Sequence, residues 1–366
     1  MPSVSITPTA NVINGSQVSA TYLYSSSEGY NGEGLITFNV GTRNVGDPMG
    51  PDEYGYYIFD SEDTDYPIAP VYDWIEIGPA TGLGMDLGFE DAGNGCLSTG
   101  GWYGCNGFPD DIAVVPLGFD FNFYGETYDE ITVSSNGYIS FVRNEMSSFR
   151  NYSIPGAGGP SPMVAAFWDD LKMGTSGNNG KVYRNVTDEY VVIQWYEVDT
   201  YQNDSDNNFQ IIIYNPEYSS TPTGDGEIKI QYREFNNTSQ GDYSQYTPIH
   251  GCYATVGIEN HLGNIGLQYT FDDEYPETNM ELFGENGGNP GAAILITTSP
   301  GAAGMPGDMN EDEALNVLDV VTLVNIILNV VEPTTNQLYA GDINSDGTSN
   351  ILDVVLLVNM ILGTAR

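Results

Sequence analysis

The sequence predicts a mainly β protein: a large β-sandwich or jelly roll, followed by a small α-helical module. Three observations carry this. Short runs of alternating apolar and polar residues recur from residue 51 to 299, separated by turn residues and with no helical period between them. A twelve-residue polar pattern is then written twice, at an offset of 342 − 308 = 34 residues, and each copy is followed by apolar residues at i, i+3, i+4 and i+7. Between the two regions, Ser299-Pro-Gly-Ala-Ala-Gly-Met-Pro-Gly307 breaks both strand and helix. The expected division is a strand segment over 1–50, a β-sandwich over 51–299, a linker over 300–307 and a module over 308–366.

Composition bounds the partners. Among 366 residues, 50 are acidic and 9 basic, a net charge of −41. Such a surface repels nucleic acid and anionic membranes, so neither is an expected partner. It also repels itself unless cations neutralise it. Strong acidity alone suggests disorder, but 40% hydrophobic and 12% aromatic content argue for packed cores. No run of eighteen apolar residues occurs, so no membrane insertion is expected. Abundant Gly and Tyr with scarce Lys fit a secreted β-rich protein at an extracellular or cell-surface location. No signal peptide is visible, so for a secreted protein Met1 is expected to mark either a processed chain or an artificially chosen start. Cys96 and Cys105 bracket a Gly-rich octapeptide and are candidates for a disulfide, with Cys252 left over. Three free thiols are the alternative.

In the first fifty residues the runs 3–6, 17–22 and 35–40 alternate as strands, and Asn14-Gly15 is a hairpin-turn signal. Three strands with so little core are marginal alone, so they are expected to pair with the next domain or with another molecule. The body offers strand candidates at 56–59, 74–77, 113–116, 119–123, 130–134, 138–142, 164–168, 181–184, 190–198, 209–214, 227–232, 253–259, 266–271 and 293–297. Asn136-Gly137 and Gly224-Asp225-Gly226 are among the turns between them. Strand order does not follow from these patterns.

The duplicated pattern runs from Asp308 to Asp319 and from Asp342 to Asp353. Each copy puts oxygen-bearing side chains at loop positions 1, 3, 5, 9 and 12, with position 7 offering a backbone carbonyl. The first set is Asp308, Asn310, Asp312, Asn316 and Asp319 with the Ala314 carbonyl. The second is Asp342, Asn344, Asp346, Asn350 and Asp353 with the Thr348 carbonyl. Ca²⁺ takes six to eight oxygens, and a loop of this length encircles it. Two Ca²⁺ ions are therefore expected in the module. Glu313 stands where Gly is expected at position 6, while Gly347 keeps it, so the first loop is expected to be the weaker. Position 12 is Asp rather than the Glu of an EF-hand, and no helical pattern precedes either loop.

These residues resemble the dockerin type I module, over 308–362. The resemblance implies two F-hands, each a loop and then a helix, and calcium-dependent docking to a cohesin domain. It also implies that loop positions 10 and 11 help choose the partner. Here these are Val317, Leu318 and Ile351, Leu352, more apolar than the Ser-Thr pairs usual in cellulosomal dockerins. In the body, Val115-Pro-Leu-Gly-Phe-Asp-Phe-Asn-Phe-Tyr-Gly125, Val133-Ser-Ser-Asn-Gly-Tyr-Ile-Ser-Phe141 and Met163-Val-Ala-Ala-Phe-Trp-Asp-Asp-Leu171 resemble nidogen-like β-domains of secreted proteins. Gly257-Ile-Glu-Asn260 and Gly266-Leu-Gln-Tyr-Thr270 look like closing strands of accessory regions in multidomain bacterial secreted proteins. That resemblance implies an extracellular accessory domain.

No enzyme is expected. Neither histidine, His250 or His261, lies in HExxH, and no GxSxG elbow occurs. His250-Gly251-Cys252 shows no third orienting group and reads as a turn. Asp169-Asp170 follows an apolar strand; adjacent residues on a strand point to opposite faces, so the pair cannot flank one glycosidic bond, and loop acids capping the strand end are the expected reading. Asp60, Glu62, Asp63 and Asp65 crowd one short loop and are candidates for a further Ca²⁺ in the β-domain; a solvated acidic turn is the alternative. Trp102-Tyr103 can stack on a sugar or plug the sandwich end, so a glycan is a candidate partner.

The expected function is an extracellular assembly protein. Its calcium-loaded module docks into a cohesin-like receptor or into the next copy of the chain, head to tail in a filament. The alternatives are an accessory C-terminal fragment of a secreted hydrolase, or a carbohydrate-binding module.

Overall fold

The computed structural model describes residues 13–25, 31–93, 110–146, 149–175, 179–219, 221, 223–240, 252–299, 307–310, 314–328, 330–331, 333, 337, 340–341, 343 and 348–362. The chain divides into a body, 48–64 and 68–299, and a second unit made of 1–47, 65–67 and 300–366.

In the second unit, β1 (Ser16–Ser25) and β2 (Asn31–Val40) form an antiparallel ribbon in register from Ser16↔Val40 to Ser25↔Asn31. The ribbon is a sheet of its own. Two of the three expected strands are thus present, but they pair with each other and join no larger sheet among the described residues. The run 3–6 lies outside those residues. Asn14-Gly15 is a turn, with Gly15 at φ 80°, but it precedes β1 instead of joining two strands. The Asn14 amide donates to Asp47 (3.1 Å), which also accepts from the Asn44 backbone N–H (2.9 Å) and the Tyr66 hydroxyl (2.7 Å). This buried carboxylate ties together the two ends of the ribbon.

The body is two antiparallel sheets. The larger has eight strands: β3 (Tyr57–Asp60), β4 (Met85–Asp86), β9 (Leu171–Lys172), β10 (Lys181–Val186), β11 (Tyr190–Thr200), β12 (Asp206–Tyr214), β13 (Ile228–Glu234) and β16 (Ala293–Thr297). Their order is β3-β16-β13-β12-β11-β10-β4, with β9 also paired to β11. The smaller holds β5 (Ile112–Phe123), β6 (Glu126–Ser134), β7 (Tyr138–Ser140), β8 (Met163–Trp168), β14 (Thr255–Glu259) and β15 (Gly266–Thr270), in the order β15-β14-β8-β7-β6-β5. The two expected runs 113–116 and 119–123 are one strand whose register shifts between Pro116 and Phe121. Gly118 lies within that shift at φ 86°, a conformation glycine adopts at no steric cost.

Alternation decides which residues meet between the sheets. Val191, Ile193 and Trp195 of β11, Phe209, Ile211 and Ile213 of β12, and Ile131 and Val133 of β6 belong to one buried core. Phe167 of the smaller sheet stacks on Phe209 of the larger at 5.6 Å. Two hydrogen bonds cross the layers: Trp195 Nε1–H to the Ser134 carbonyl (3.0 Å) and the Tyr232 hydroxyl to the Ala166 carbonyl (2.8 Å). Buried aromatic donors with partners let these rings contribute their full apolar area without an orphaned polar atom.

The expected strand 74–77 is absent, and the segment has a different job. It runs over the outer face of the larger sheet, where Ile77 packs with Val192 and Ile212. Three glutamines stand in register below it: Gln194 on β11, Gln210 on β12 and Gln231 on β13. Gln231 accepts from the Asp73 N–H and donates to the Asp73 carbonyl (2.8 Å). The Gln210 amide lies within 3.3 Å of both the nitrogen and the carbonyl oxygen of Ile75. Side-chain amides thus satisfy a backbone that finds no strand edge. Periodicity in the segment is genuine, but it reflects packing on a sheet face and not pairing within a sheet.

The C-terminal calcium-loop module as candidate functional site

Each repeat ends in a helix, α1 (Val317–Ile327) and α2 (Ile351–Ile361). Both begin at an asparagine in loop position 9. Asn316 and Asn350 have extended backbone, and each side-chain oxygen accepts from the N–H two residues on, Leu318 or Leu352, at 2.8 Å. The position-12 aspartates complete a capping box. Asp319 accepts from the Asn316 N–H at 2.8 Å, and Asp353 from the Asn350 N–H at 2.8 Å. The Asn316 and Asn350 amides also donate back to the position-7 carbonyls, of Ala314 (2.8 Å) and Thr348 (3.1 Å). The same residues that the spacing assigns to a cation therefore also start the helices.

The second Asp319 oxygen reaches the loop entry, accepting from Met309 N–H (2.9 Å) and Asn310 N–H (3.3 Å). Met309 is fully buried in a core shared by both repeats, with Leu323 and Ile326 of α1, Ala340, and Val354 and Leu357 of α2. Gly307 sits at φ 92°, its N–H on the Ala340 carbonyl (2.8 Å), and a Cβ there would run into Leu357. This packing brings loop position 1 beside position 12: Asp308 is 3% exposed and Asp319 and Asp353 are 0% exposed.

Buried carboxylates need a counter-charge. Residues 308–366 contain six Asp, three Glu and a single basic residue, Arg366. The donor set is carboxylate, amide and backbone carbonyl oxygen, the chemistry of a hard cation such as Ca²⁺. Asp308, Asn310, Ala314, Asn316 and Asp319 of the first loop, and Thr348, Asn350 and Asp353 of the second, are the described residues that would hold it, although among the described residues no three acidic side chains converge on one position. Asp312, Asp342, Asn344 and Asp346 lie outside the described residues, as do Glu313 and Gly347.

The other candidate residues fall elsewhere. Asp60 is buried and accepts from Glu62 N–H (2.9 Å), Met280 N–H (3.2 Å) and the Tyr269 hydroxyl (2.8 Å). Asp63 accepts from Asp60 N–H (2.8 Å), while Glu62 and Asp65 are exposed. These carboxylates hold their own loop and the β15 strand, and among the described residues no three acidic, His or Cys side chains converge on a metal position. Asp169 accepts from Asp170 N–H (2.8 Å) at the end of β8, and burial pushes its carboxyl up to about 8. Cys96, Cys105, Trp102, Tyr103 and His250 lie outside the described residues.

The helices also expose residues that the loop positions alone did not single out. Val321 and Val355 stand one turn beyond Val317 and Ile351, and Leu328 and Leu362 follow the helix ends; all four are exposed. Their signal was in the repeat: each pair is separated by the same 34 residues.

The structure defines a duplicated loop-and-helix module appended to an antiparallel β-sandwich. Residues 306–362 match the family model of the dockerin type I domain, and residues 104–284 match the model described as NIDO related. The C-terminal segment is thus similar in sequence to dockerin type I domains, and residues 104–284 of the body to NIDO-related domains. A dockerin domain supports calcium binding and docking to a protein partner. No curated protein and no solved structure matches the chain. No helix among the described residues is long and apolar enough to cross a membrane.

Proposed function

We propose that this chain is a non-catalytic extracellular assembly protein whose module, holding one Ca²⁺ in each loop, docks into a partner protein. A cohesin-like receptor is the first candidate, and the next copy of the chain is the second. One observation carries the reading: exposed apolar residues recur at equal repeat positions with nearly equal exposure. Val317 and Ile351 are 67% and 64% exposed, Leu318 and Leu352 57% and 58%, and Val321 and Val355 51% and 54%. Each trio is held at the start of a helix by a buried capping aspartate. Large aliphatic side chains kept in water on a rigid element are what a docking surface supplies. The nidogen-related body then serves as the unit that the module attaches.

The test is binding of the full chain in Ca²⁺ to a panel of cohesin domains by calorimetry, with sedimentation velocity for self-association. Val317→Asp, Leu318→Asp, Ile351→Asp and Leu352→Asp together are expected to abolish association while calcium binding and the helical signal persist. Association that survives the fourfold variant would refute the assignment.

A further inference from the structure

A second site lies in the body and is independent of docking. A hollow of about 510 Å³ opens between the end of β13 and a hairpin over 282–292, within the range of about 300–1,000 Å³ usual for small-ligand sites. Its floor is built, not loose. Glu285 N–H donates to the Arg233 carbonyl (2.8 Å), Ala292 N–H to the Phe283 carbonyl (2.9 Å), and Tyr232 N–H to the Ala292 carbonyl (3.0 Å). Gly284 and Gly291 pack so tightly on the β13 backbone that a Cβ at either would overlap the Arg233 or Tyr232 carbonyl.

The lining has a particular chemistry. Phe283 is 45% exposed at the lip. Asn286 and Asn289 are exposed, and among the described residues their side chains make no hydrogen bond, so each offers both a donor and an acceptor. Arg233 is committed: it stacks on Trp74 at 4.3 Å, donates to Glu76 (2.5 Å) and faces Glu285 (3.5 Å). Glu285 in turn accepts from the Tyr72 hydroxyl (2.5 Å). Arg233 and Glu285 therefore largely satisfy each other, and what is left for a ligand is one aromatic ring, the neutral amides and the exposed Glu234 carboxylate, which makes no ion pair among the described residues and can accept from a hydroxyl.

We propose that this hollow binds a neutral oligosaccharide. A sugar has hydroxyls that donate and accept alike, matching Asn286 and Asn289, and an apolar C–H face that can cover Phe283. A polyuronate is repelled by a chain of net charge −41. A cationic peptide would need several open carboxylates, and here Glu285 is already engaged, which leaves Glu234 alone.

The experiment is calorimetry of the full chain in Ca²⁺ with cellohexaose, xylohexaose, mannohexaose and laminarihexaose, and with pentalysine as the cationic probe. At least one neutral sugar is expected to bind saturably. Phe283→Ala should weaken it about tenfold, the worth of one aromatic contact, and Asn289→Ala should weaken it several-fold. Phe283→Tyr should retain it, with melting temperatures of all variants unchanged. Absence of binding by all four sugars at millimolar concentration, binding indifferent to both alanine variants, or displacement by pentalysine would overturn the proposal. The same variants should leave calcium-dependent association intact, so failure here is distinct from failure of the docking reading.

Discussion

Asp319→Ala is the sharpest test of how the module is built. Asp319 is fully buried and accepts three backbone hydrogen bonds, from Met309, Asn310 and Asn316. Each such bond contributes about 1 kcal/mol net, and more where the donor is left buried without a partner. Met309 is itself fully buried, so its N–H finds no water. The three together amount to about 3–5 kcal/mol, before any loss of a calcium ligand. A core of this size supplies only about 3–5 kcal/mol. The first repeat should therefore lose α1 even in saturating Ca²⁺. The described helices of regular length, α1 and α2, both lie in the module. Far-UV circular dichroism of the full chain thus reports the module directly, against the β background of the body. Asp319→Asn keeps one acceptor oxygen but removes the charge. It should retain more helix than Asp319→Ala, and need more Ca²⁺ to reach it. A helical signal and a melting curve unchanged in Asp319→Ala would refute the capping argument.

Three further outcomes are expected. Chelation should melt the module and leave the sandwich folded, because carboxylates about 4 Å apart repel by about 4 kcal/mol at an effective dielectric of about 20; Mg²⁺ should restore it poorly, which circular dichroism with EDTA and each metal checks. Burial raises the Asp169 carboxyl from 3.8 to about 8, so the folded state keeps a proton that the unfolded state loses, and stability contributed there falls as pH rises between about 4 and 8. Asp169→Asn should gain on the parent across that window by several kcal/mol and gain little near pH 4; equal urea midpoint shifts at both ends would contradict it. Gly137 lies at φ 78° where a Cβ would overlap the Phe167 carbonyl, so Gly137→Ala should lower the melting temperature of the body sharply while leaving the module's calcium response intact.

The helices of the module, their caps and their exposed pairs were legible in the sequence, because they are local: they follow from spacing within twelve residues and from a repeat of 34. The capping role of Asp319 and Asp353 is written in the same positions, since position 9 and position 12 are Ncap and N3 of the helix that follows. What the spacing could not show is that Met309 is buried in the shared core, because that depends on Leu357 and Ala340 arriving from the other repeat. In the body, most strands were legible because alternation is a property of single strands. Their order was not, since β3 pairs with β16 across more than two hundred residues, and only complementary side chains on the two inner faces select that pairing. The same limit explains the segment at 74–77. Its apolar alternation is real, but whether such a run joins a sheet edge or lies over a sheet face depends on Gln210 and Gln231 standing in register beneath it to meet its backbone. The hollow beside Phe283 is likewise tertiary: its two walls are far apart in the chain, and backbone contacts too close for any side chain but glycine's hold them together.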